Sequence, residues 1–316
     1  MMKGFLDRVR ERVRGAGARI VLADGSDPRA RDAAAALAAE ELARPILLGA
    51  GAAPAGVEMR DPATDPRAAV YAGVLHDLRR KTGLTAGEAA VRAREPHWYG
   101  ALAVRQGDAD GLVSGLASET KPFIPAFSAV GLAPGITRAS SYFLMVWPDR
   151  VLLYADCGVN IAPDTSTLAA IGRATAATAR ALGLEPKVAF LSFSTRGSAE
   201  HESVDRMREA AAMVRAAEPG LPVDGELQFD AAFVPEVARR KCPDSPLAGA
   251  ANVFIFPDLN SGNIAYKITE RLGGAQALGP LLQGLAQPVH DLSRGASVQD
   301  IVDVATIAAL GAVSRA

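Results

Sequence analysis

Short apolar strands alternate with helices over the first 115 residues, and this alternation restricts the fold more than any other feature of the chain. Residues 19–23 (RIVLA) predict a strand, and Asp27-Pro28 supplies a helix cap followed by proline at the first helical position. Residues 30–42 continue as a helix before a strand at 45–48. Further elements are expected as helices at 67–80, 85–94 and 97–106 and as a strand at 111–113. Such a succession predicts a parallel sheet covered by helices.

The pattern changes near residue 140. Two apolar strands, 141–147 and 151–156, are joined only by Pro148-Asp149-Arg150, which is too short for a helical crossover, so they are expected to be antiparallel. The α/β alternation then resumes, with a helix over 163–183, strands at 187–194 and 252–256, and a helix over 204–217. We therefore predict an α/β protein of two α/β/α domains with a cleft between them that holds the site. The predicted division is 1–137 plus 280–316 for the first domain and 138–279 for the second.

Bulk composition excludes several classes of function. The chain has 316 residues, enough for two domains, and a net charge of −1 without a basic block, so no nucleic-acid partner is expected. No apolar run approaches the length of a membrane span. Cys157 and Cys242 lack a paired spacing, which is typical of a reducing compartment, and we expect a cytoplasmic protein. The four histidines show no metal-ligand spacing, so no metal site is predicted.

Polar residues gather at element ends between residues 252 and 300. The strand run Val253 to Phe256 stops at Pro257, and the following DLNSGN places Asn260 and Asn263 where a helix begins, a position suited to anions. Further on, Ser293 and Arg294 lie in a glycine-containing loop just before a helix that carries Asp300. A hydroxyl, a guanidinium and a carboxylate within eight residues indicate an active site that handles an anionic substrate.

Two segments carry a family resemblance. FPDLNSGNIAYK begins at residue 256, and GPLLQGLAQPVHDLSRG begins at residue 279; together they resemble the hallmark segments of the phosphate acetyltransferases (phosphotransacetylases). The similarity extends over almost the whole chain, through DADGLVSG, FLSFSTRGSAEH and VDGELQFDAAFVPEVA. It implies an architecture like that of the isocitrate and isopropylmalate dehydrogenases, and reversible acetyl transfer between acetyl phosphate and coenzyme A (CoA) by direct thiolate attack in a ternary complex.

The resemblance also assigns roles to single residues. Asp300 matches the family's general base, Arg294 the residue that stabilises the carbonyl oxyanion and holds phosphate, and Ser293 a hydrogen-bond donor to the transition state. Arg271 and Arg79 match two further arginines of the family's cleft. CoA and acetyl-CoA are then substrates, no cofactor stays bound, and the protein is expected to form a homodimer that acts only on small molecules.

Each assignment has a purely structural alternative. Ser297-x-x-Asp300 ahead of an apolar helix is the capping-box pattern, although a capping residue can also face a cleft and act as a base. Arg271 and Arg79 fall in helical patterns, where arginine usually faces solvent. Ser194 and Thr195, after a predicted strand, either line a phosphate or form an ordinary turn.

One segment departs from the family. Where its members read like TLRPALQ, this chain reads SETKPFIPAF, so that Ile124 stands near the position of an arginine and one residue is deleted. Lys121 can compensate only in part, because an ammonium does not reproduce a bidentate guanidinium. We expect weaker substrate affinity than in a variant carrying Ile124→Arg.

Three alternative functions stay open on the sequence. A phosphate butyryltransferase shares the family and the fold, and a non-catalytic acyl-CoA-sensing module is similar, although Ser293, Arg294 and Asp300 are all retained here. A dehydrogenase would need a carboxylate cluster for a divalent metal. The acidic residues Asp224, Glu226 and Asp230 are candidates for it, but their spacing alternates between the two faces of a strand.

Overall fold

The chain forms two α/β units, each built around strands of the predicted alternation. The computed structural model describes residues 4–116 and 125–314, and it divides into residues 1–135 with 285–316 and residues 136–284. The division predicted from the sequence set its boundaries at residues 137 and 280.

The first unit is an all-parallel sheet with helices. In chain order its elements are α1 (Phe5–Val13), β1 (Arg19–Leu22), α2 (Pro28–Ala39), β2 (Arg44–Leu48), β3 (Glu58–Arg60), α3 (Arg67–Arg79), α4 (Ala86–Arg92), α5 (Pro96–Arg105), β4 (Gly111–Ser114), a π-helical turn (Ala126–Val130), β11 (Val289–Asp291) and α11 (Val298–Val313). The strand order is β3-β2-β1-β4-β11, and every neighbouring pair is parallel. The parallel, helix-covered sheet expected from the sequence is confirmed.

The second unit combines antiparallel and parallel strands. Its elements are β5 (Ser140–Val146), β6 (Val151–Ala155), α6 (Thr165–Ala181), β7 (Val188–Leu191), α7 (Glu202–Ala217), β8 (Val223–Leu227), α8 (Phe229–Phe233), α9 (Pro235–Lys241), β9 (Val253–Ile255), α10 (Leu259–Gly273) and β10 (Gln276–Gln283). The order is β10-β5-β6-β9-β7-β8. As predicted, β5 and β6 are antiparallel; β10 also pairs antiparallel with β5, whereas β6, β9, β7 and β8 are parallel.

Local signals fix the starts of the helices that matter for the site. Asp27 caps α2 by accepting a hydrogen bond from the amide of Arg29, and Pro28 occupies the first helical position. Asp258 caps α10 through the amide of Ser261. Each cap turns the chain out of a strand and into a helix within a few residues, which fixes the loop between the two elements.

The last helix, α11, is the central helix of the first unit. All residues from 301 to 310 are buried, and α11 packs against α1, α2 and β4. Its buried Asp303 carboxylate, only 2% exposed, accepts hydrogen bonds from Arg10 of α1 at 2.8 Å and from Gln299 at 3.0 Å. This pairing compensates the cost of burying the Asp303 charge and ties α1 to α11. Within the described residues, no helix is long and apolar enough to cross a membrane.

Candidate active site

The carboxyl ends of β1, β4 and β11 bring a group of polar residues to one edge of the first unit's sheet. Asp24 lies just beyond β1, Ser114 ends β4 and is followed by Gly115, and Asp291 ends β11. The buried Asp24 carboxylate accepts hydrogen bonds from the Gly115 amide at 2.9 Å and the Leu116 amide at 3.2 Å. Ligands of parallel α/β sheets bind at this edge, so it is where a site is expected in this unit.

Ser293 and Arg294 follow β11 after Leu292, in a tight turn at this edge. The amide of Ala296 donates to the carbonyl of Ser293 at 2.9 Å, which closes the turn, and the amide of Gly295 contacts the Ser293 hydroxyl at 3.3 Å. Both side chains are exposed. Among the residues that the structure describes, no carboxylate forms an ion pair with the Arg294 guanidinium. Its donors therefore remain available to an anionic ligand.

Asp300 lies in the first turn of α11, where it completes a capping box. One of its carboxylate oxygens accepts from the Ser297 amide at 2.9 Å and the Ser297 hydroxyl at 2.8 Å, while the Ser297 hydroxyl accepts from the Asp300 amide at 3.2 Å. The predicted structural role is confirmed. The side chain is half-buried at the start of a helix that follows the Ser293–Arg294 turn, so the cap leaves Asp300 in place for a second role.

Asp291 is the titratable group of this edge with the largest perturbation. Burial, and then the nearby carboxylate of Asp24, raise its pKa to about 7, although the Leu292 amide donates to it. Beside it, His97 contacts the Ser114 hydroxyl through Nδ1 at 2.7 Å, and burial lowers the pKa of His97. The edge that presents Ser293 and Arg294 therefore contains one carboxyl group, that of Asp291, that changes charge near neutral pH.

We expect the free energy of unfolding to depend on pH through Asp291. A carboxyl whose pKa is higher in the folded state than in the unfolded one loses its stabilising contribution as pH rises from about 4 to 7. An Asp291→Asn variant should therefore gain stability relative to the parent protein over this window, by about 4 kcal/mol for a shift of about three pKa units, and level off above about pH 8. Urea unfolding at a series of pH values measures the difference.

Asp164→Asn is the matched control for this titration. Asp164 caps α6, and hydrogen bonds from the backbone and hydroxyl of Thr167 and from Ser166 lower its pKa to about 2. Its contribution is present above about pH 4 and lost on acidification, so this variant should lose stability relative to the parent as pH rises through the acidic range. A pH-independent difference for Asp291→Asn would contradict the raised pKa.

Arg79, a further residue predicted to bind substrate, lies at the end of α3. Its guanidinium is positioned over the ring of Trp98, 5.8 Å from the centroid, and the side chain is half-buried. The stacking fixes the direction of the guanidinium without consuming its hydrogen-bond donors. Its part in substrate binding stays a prediction.

In the second unit, β6, β9, β7 and β8 likewise end at one edge of the sheet. Asp156 follows β6 and is almost fully buried, and its carboxylate accepts hydrogen bonds from the backbone or side chains of Ser141, Gly158, Val159 and Asn160. This network shapes the loop at 156–160. The start of α10, which follows β9, lies against the same loop, because the Leu259 amide donates to the carbonyl of Ile161 at 3.1 Å.

Asn260 and Asn263 are presented on the first turns of α10, as predicted. Asn260 is exposed, and the Asn263 amide group donates to the carbonyl of Cys157 at 3.2 Å. Between them, Gly262 approaches the backbone so closely that a Cβ atom would lie 2.4 Å from the carbonyl oxygen of Asp156. Arg271 is 81% exposed near the other end of α10, about 16 Å from Asn260 along the helix axis. The two residues therefore cannot hold the same phosphate group.

Ser194 and Thr195 are buried in the loop after β7. The Ser194 hydroxyl donates to Glu226 at 3.0 Å, and the Thr195 hydroxyl accepts from the Gln228 amide at 3.0 Å. Glu226 also binds Arg208 at 2.9 Å, so the loop is tied firmly to β8 and α7. These contacts correspond to the turn-forming alternative, and binding of phosphate by either hydroxyl stays a prediction.

The sequence predictions include two residues that the structure does not describe and omit two residues of the candidate site. Lys121 and Ile124 lie outside the described residues. Asp24 was not predicted, although it directly follows the buried apolar run 20–23, which is the signal that would have identified it. Asp291, the last residue of β11, was not predicted as a site residue either, and because it follows His290 it carries no such signal. Asp224 and Glu226, the candidate metal carboxylates, are instead bound by Arg196 and Arg208 at 2.7 and 2.9 Å.

Comparison with known proteins gives one consistent result. Residues 4–309 match the family model described as "Phosphate acetyl/butaryl transferase". The phosphate acetyltransferase of Paracoccus denitrificans is 48% identical over 313 residues, covering 96% of this chain and 98% of that protein. The crystal structure of a phosphotransacetylase from Streptococcus pyogenes superposes with a TM-score of 0.92 and 41% identity, covering 98% of each chain. A 4-hydroxythreonine-4-phosphate dehydrogenase from Klebsiella pneumoniae, at 13% identity over 92% of this chain and 98% of that chain, shares the fold with a TM-score of 0.55.

Proposed function

Because the chain belongs to the phosphate acetyl/butaryl transferase family, we propose that it catalyses the reversible reaction acetyl-CoA + phosphate = CoA + acetyl phosphate. Near full-length similarity to phosphate acetyltransferases, at 48% identity, supports this activity most directly. Retention of Ser293, Arg294 and Asp300 on one exposed turn and the helix that follows supports a catalytic protein over a non-catalytic acyl-CoA-sensing one.

The proposed mechanism uses Asp300 as the base that removes the thiol proton of CoA. An ordinary thiol and an ordinary aspartate differ by about 4.6 pKa units, so complete transfer before attack would cost about 6 kcal/mol. We propose that the proton leaves as the sulfur attacks the acetyl carbonyl, with no acyl-enzyme intermediate. The carbon–sulfur bond forms, the carbon–oxygen bond to phosphate breaks, and phosphate leaves with the electron pair of that bond.

Arg294 and Ser293 supply the electrostatic part of the proposal. The exposed guanidinium is a permanent, planar donor suited to both the carbonyl oxyanion and the departing phosphate, and the Ser293 hydroxyl is a further donor. Because this charge comes from an arginine, we propose that no metal ion takes part in the chemical step. No cofactor then stays bound, and CoA acts as a substrate. Turnover in the presence of a chelator tests this point.

The remaining substrate contacts are assigned by position. Asn260 and Asn263, at the start of α10, suit an anionic group, with Ser194 and Thr195 shaping the neighbouring loop. Arg271, about 16 Å from Asn260, suits a separate phosphate of a long substrate such as CoA. Arg79 and Lys121 complete the proposed cationic set.

The deciding experiment offers acetyl phosphate and butyryl phosphate separately with CoA and follows thioester absorbance. Turnover with acetyl phosphate, at a kcat/KM above that for butyryl phosphate, supports the proposal. Turnover only with butyryl phosphate moves the assignment to a butyryltransferase. Binding of acetyl-CoA without turnover of either substrate moves it to an acyl-CoA-sensing protein.

We also propose a cytoplasmic homodimer. Both cysteines are buried and unpaired, which is typical of a reducing compartment. The residues Ile264, Ile268 and Leu272 are 56%, 53% and 85% exposed and follow one another at intervals of four along α10. They form an apolar stripe beside a groove lined by Trp147 and aromatic residues of α8. A twofold axis would pair such a stripe with its own copy, and twofold dimers are the commonest closed assemblies.

Leu272→Glu is expected to weaken this dimer. A charge in a buried apolar contact should raise the dimer dissociation constant by about 30-fold or more. Analytical ultracentrifugation over a concentration series measures it. Val91→Glu is the control, because Val91 is 67% exposed but lies on α4 of the first unit. A sedimentation profile that both substitutions leave unchanged would exclude this stripe as the interface.

A further inference from the structure

Arg29, in the first turn of α2, connects the start of that helix to the turn that carries Ser293 and Arg294. Its Nε and Nη2 bind the two carboxylate oxygens of Asp27 at 3.1 and 2.6 Å. Its Nη1 donates to the backbone carbonyls of Arg294 at 2.9 Å and Ala296 at 2.7 Å. Four of the five N–H groups of the guanidinium are thus engaged, two of them by backbone carbonyls 265 and 267 residues away in sequence.

These contacts fix the direction in which the Arg294 side chain leaves the backbone. Arg294 and Gly295 form the corner of the turn closed by the Ala296 amide and the Ser293 carbonyl. A single Nη1 that binds the carbonyls at 294 and 296 holds the peptide group that enters Gly295 and the peptide group that follows Ala296, so the contact bridges Gly295, the residue with the greatest conformational freedom. The second of these peptides leads into Ser297, which caps α11 and binds Asp300.

Asp27 holds the guanidinium in the orientation that this contact needs. The same carboxylate caps α2, so the helix start, the carboxylate and the guanidinium form one rigid unit. The Arg29 hydrogen bond keeps the pKa of Asp27 below its usual value, which maintains the charge of the pair. A lysine could not bind the carboxylate and both carbonyls in one plane.

We propose that Arg29 is a positioning residue for acyl transfer, acting through Arg294 and without contact to the substrate. The inference rests on the proposed role of Arg294 in the reaction. A side chain in a partly exposed ion pair, here 33% exposed, contributes little to global stability. The effect of removing it should therefore fall on catalysis, because misplacing a catalytic group by about 1 Å can cost about 100-fold in rate.

A double-mutant cycle between Arg29→Gln and Arg294→Gln tests the proposal, with kcat and KM for acetyl phosphate and CoA measured separately. We expect Arg29→Gln to lower kcat by about 10- to 100-fold in the parent protein and by less than about 3-fold when Arg294 is already glutamine. Arg29→Lys should recover less than half of the lost kcat.

Arg31→Gln is the matched control, because Arg31 lies on the same helix and binds the carbonyl of Ala52, away from the turn. It should leave kcat within about 2-fold of the parent while changing the midpoint of thermal unfolding as much as Arg29→Gln does. If Arg29→Gln lowers kcat equally in the parent and in the Arg294→Gln protein, or does not lower kcat in the parent, the positioning role of Arg29 is wrong. Either result leaves the proposed role of Arg294 unaffected. If Arg294→Gln by itself leaves turnover intact, the proposed role of Arg294 fails, and the positioning role fails with it.

Discussion

Replacing Asp300 by asparagine is expected to lower kcat by about 10²- to 10⁴-fold, the range that a general base contributes. The substitution is informative because the structure gives Asp300 a second duty. Its carboxylate oxygen accepts hydrogen bonds from the Ser297 amide and hydroxyl, and the amide oxygen of asparagine can accept the same bonds. The helix start should therefore survive while the base is lost. Steady-state kinetics measures the loss of the base, and urea unfolding measures any loss of the helix cap.

Ser297→Ala provides the reciprocal control. It removes the hydroxyl that accepts from the Asp300 amide, which should cost about 1 kcal/mol in the free energy of unfolding and leave the Asp300 carboxylate in place. We expect kcat to change far less than in Asp300→Asn. Near-normal turnover in a folded Asp300→Asn protein would show that Asp300 serves only as a cap.

Gly115→Ala should have the largest effect on stability, roughly 2–5 kcal/mol, and should reduce activity as well. Gly115 directly follows β4 and has a φ of +124°, and an added Cβ would lie 2.3 Å from the Asp291 carboxylate and 2.5 Å from the carbonyl of Leu292. Neither atom belongs to a long flexible side chain, so the end of β11 would have to move. That strand end leads directly into Ser293 and Arg294.

Gly107→Ala separates the cost of a left-handed backbone from the cost of the close contacts that an added Cβ would make. Gly107 also has a positive φ, +75°, but an added Cβ there would meet nothing within 4 Å. It should show only the cost of the left-handed backbone, on the order of 1 kcal/mol, with kcat unchanged. Chemical denaturation of both variants measures the difference. If Gly115→Ala and Gly107→Ala lower the free energy of unfolding equally, the close approach to Asp291 and Leu292 has no energetic consequence.

The sequence predicted elements wherever local signals were strong. The helix at 67–79 and the strands on either side of Pro148-Asp149-Arg150 agree with prediction to within one or two residues, because periodicity and turn chemistry act over a few neighbours. Strand β10 was missed, since QALGPLLQ contains glycine and proline that usually end strands. Its pairing with β5 comes from tertiary structure instead.

In the candidate site, too, the local features were predicted from the sequence and the long-range contacts were not. The Ser297–Asp300 capping box is a local pattern and was predicted. The raised pKa of Asp291 depends on its burial in the folded unit and then on the carboxylate of Asp24, and the contact of Arg29 with the Ser293–Ala296 turn joins residues more than 260 positions apart. Neither feature is indicated by the residues adjacent in sequence, because strand order and helix packing decide which distant groups come into contact. Such contacts become visible only in three dimensions.

Because β11 and α11 come after the second unit in the sequence, the proposed active site can form only late in synthesis. Strand β11 completes its sheet by pairing with β4, which precedes it by some 175 residues, and the whole second unit lies between them. During synthesis, residues 136–284 can fold as a continuous segment, whereas the first unit must wait for its last strand and its central helix. The proposed reactive groups Ser293, Arg294 and Asp300 therefore leave the ribosome only after residues 136–284. Under the proposed mechanism, a chain terminated before β11 lacks these groups and would not turn over substrate.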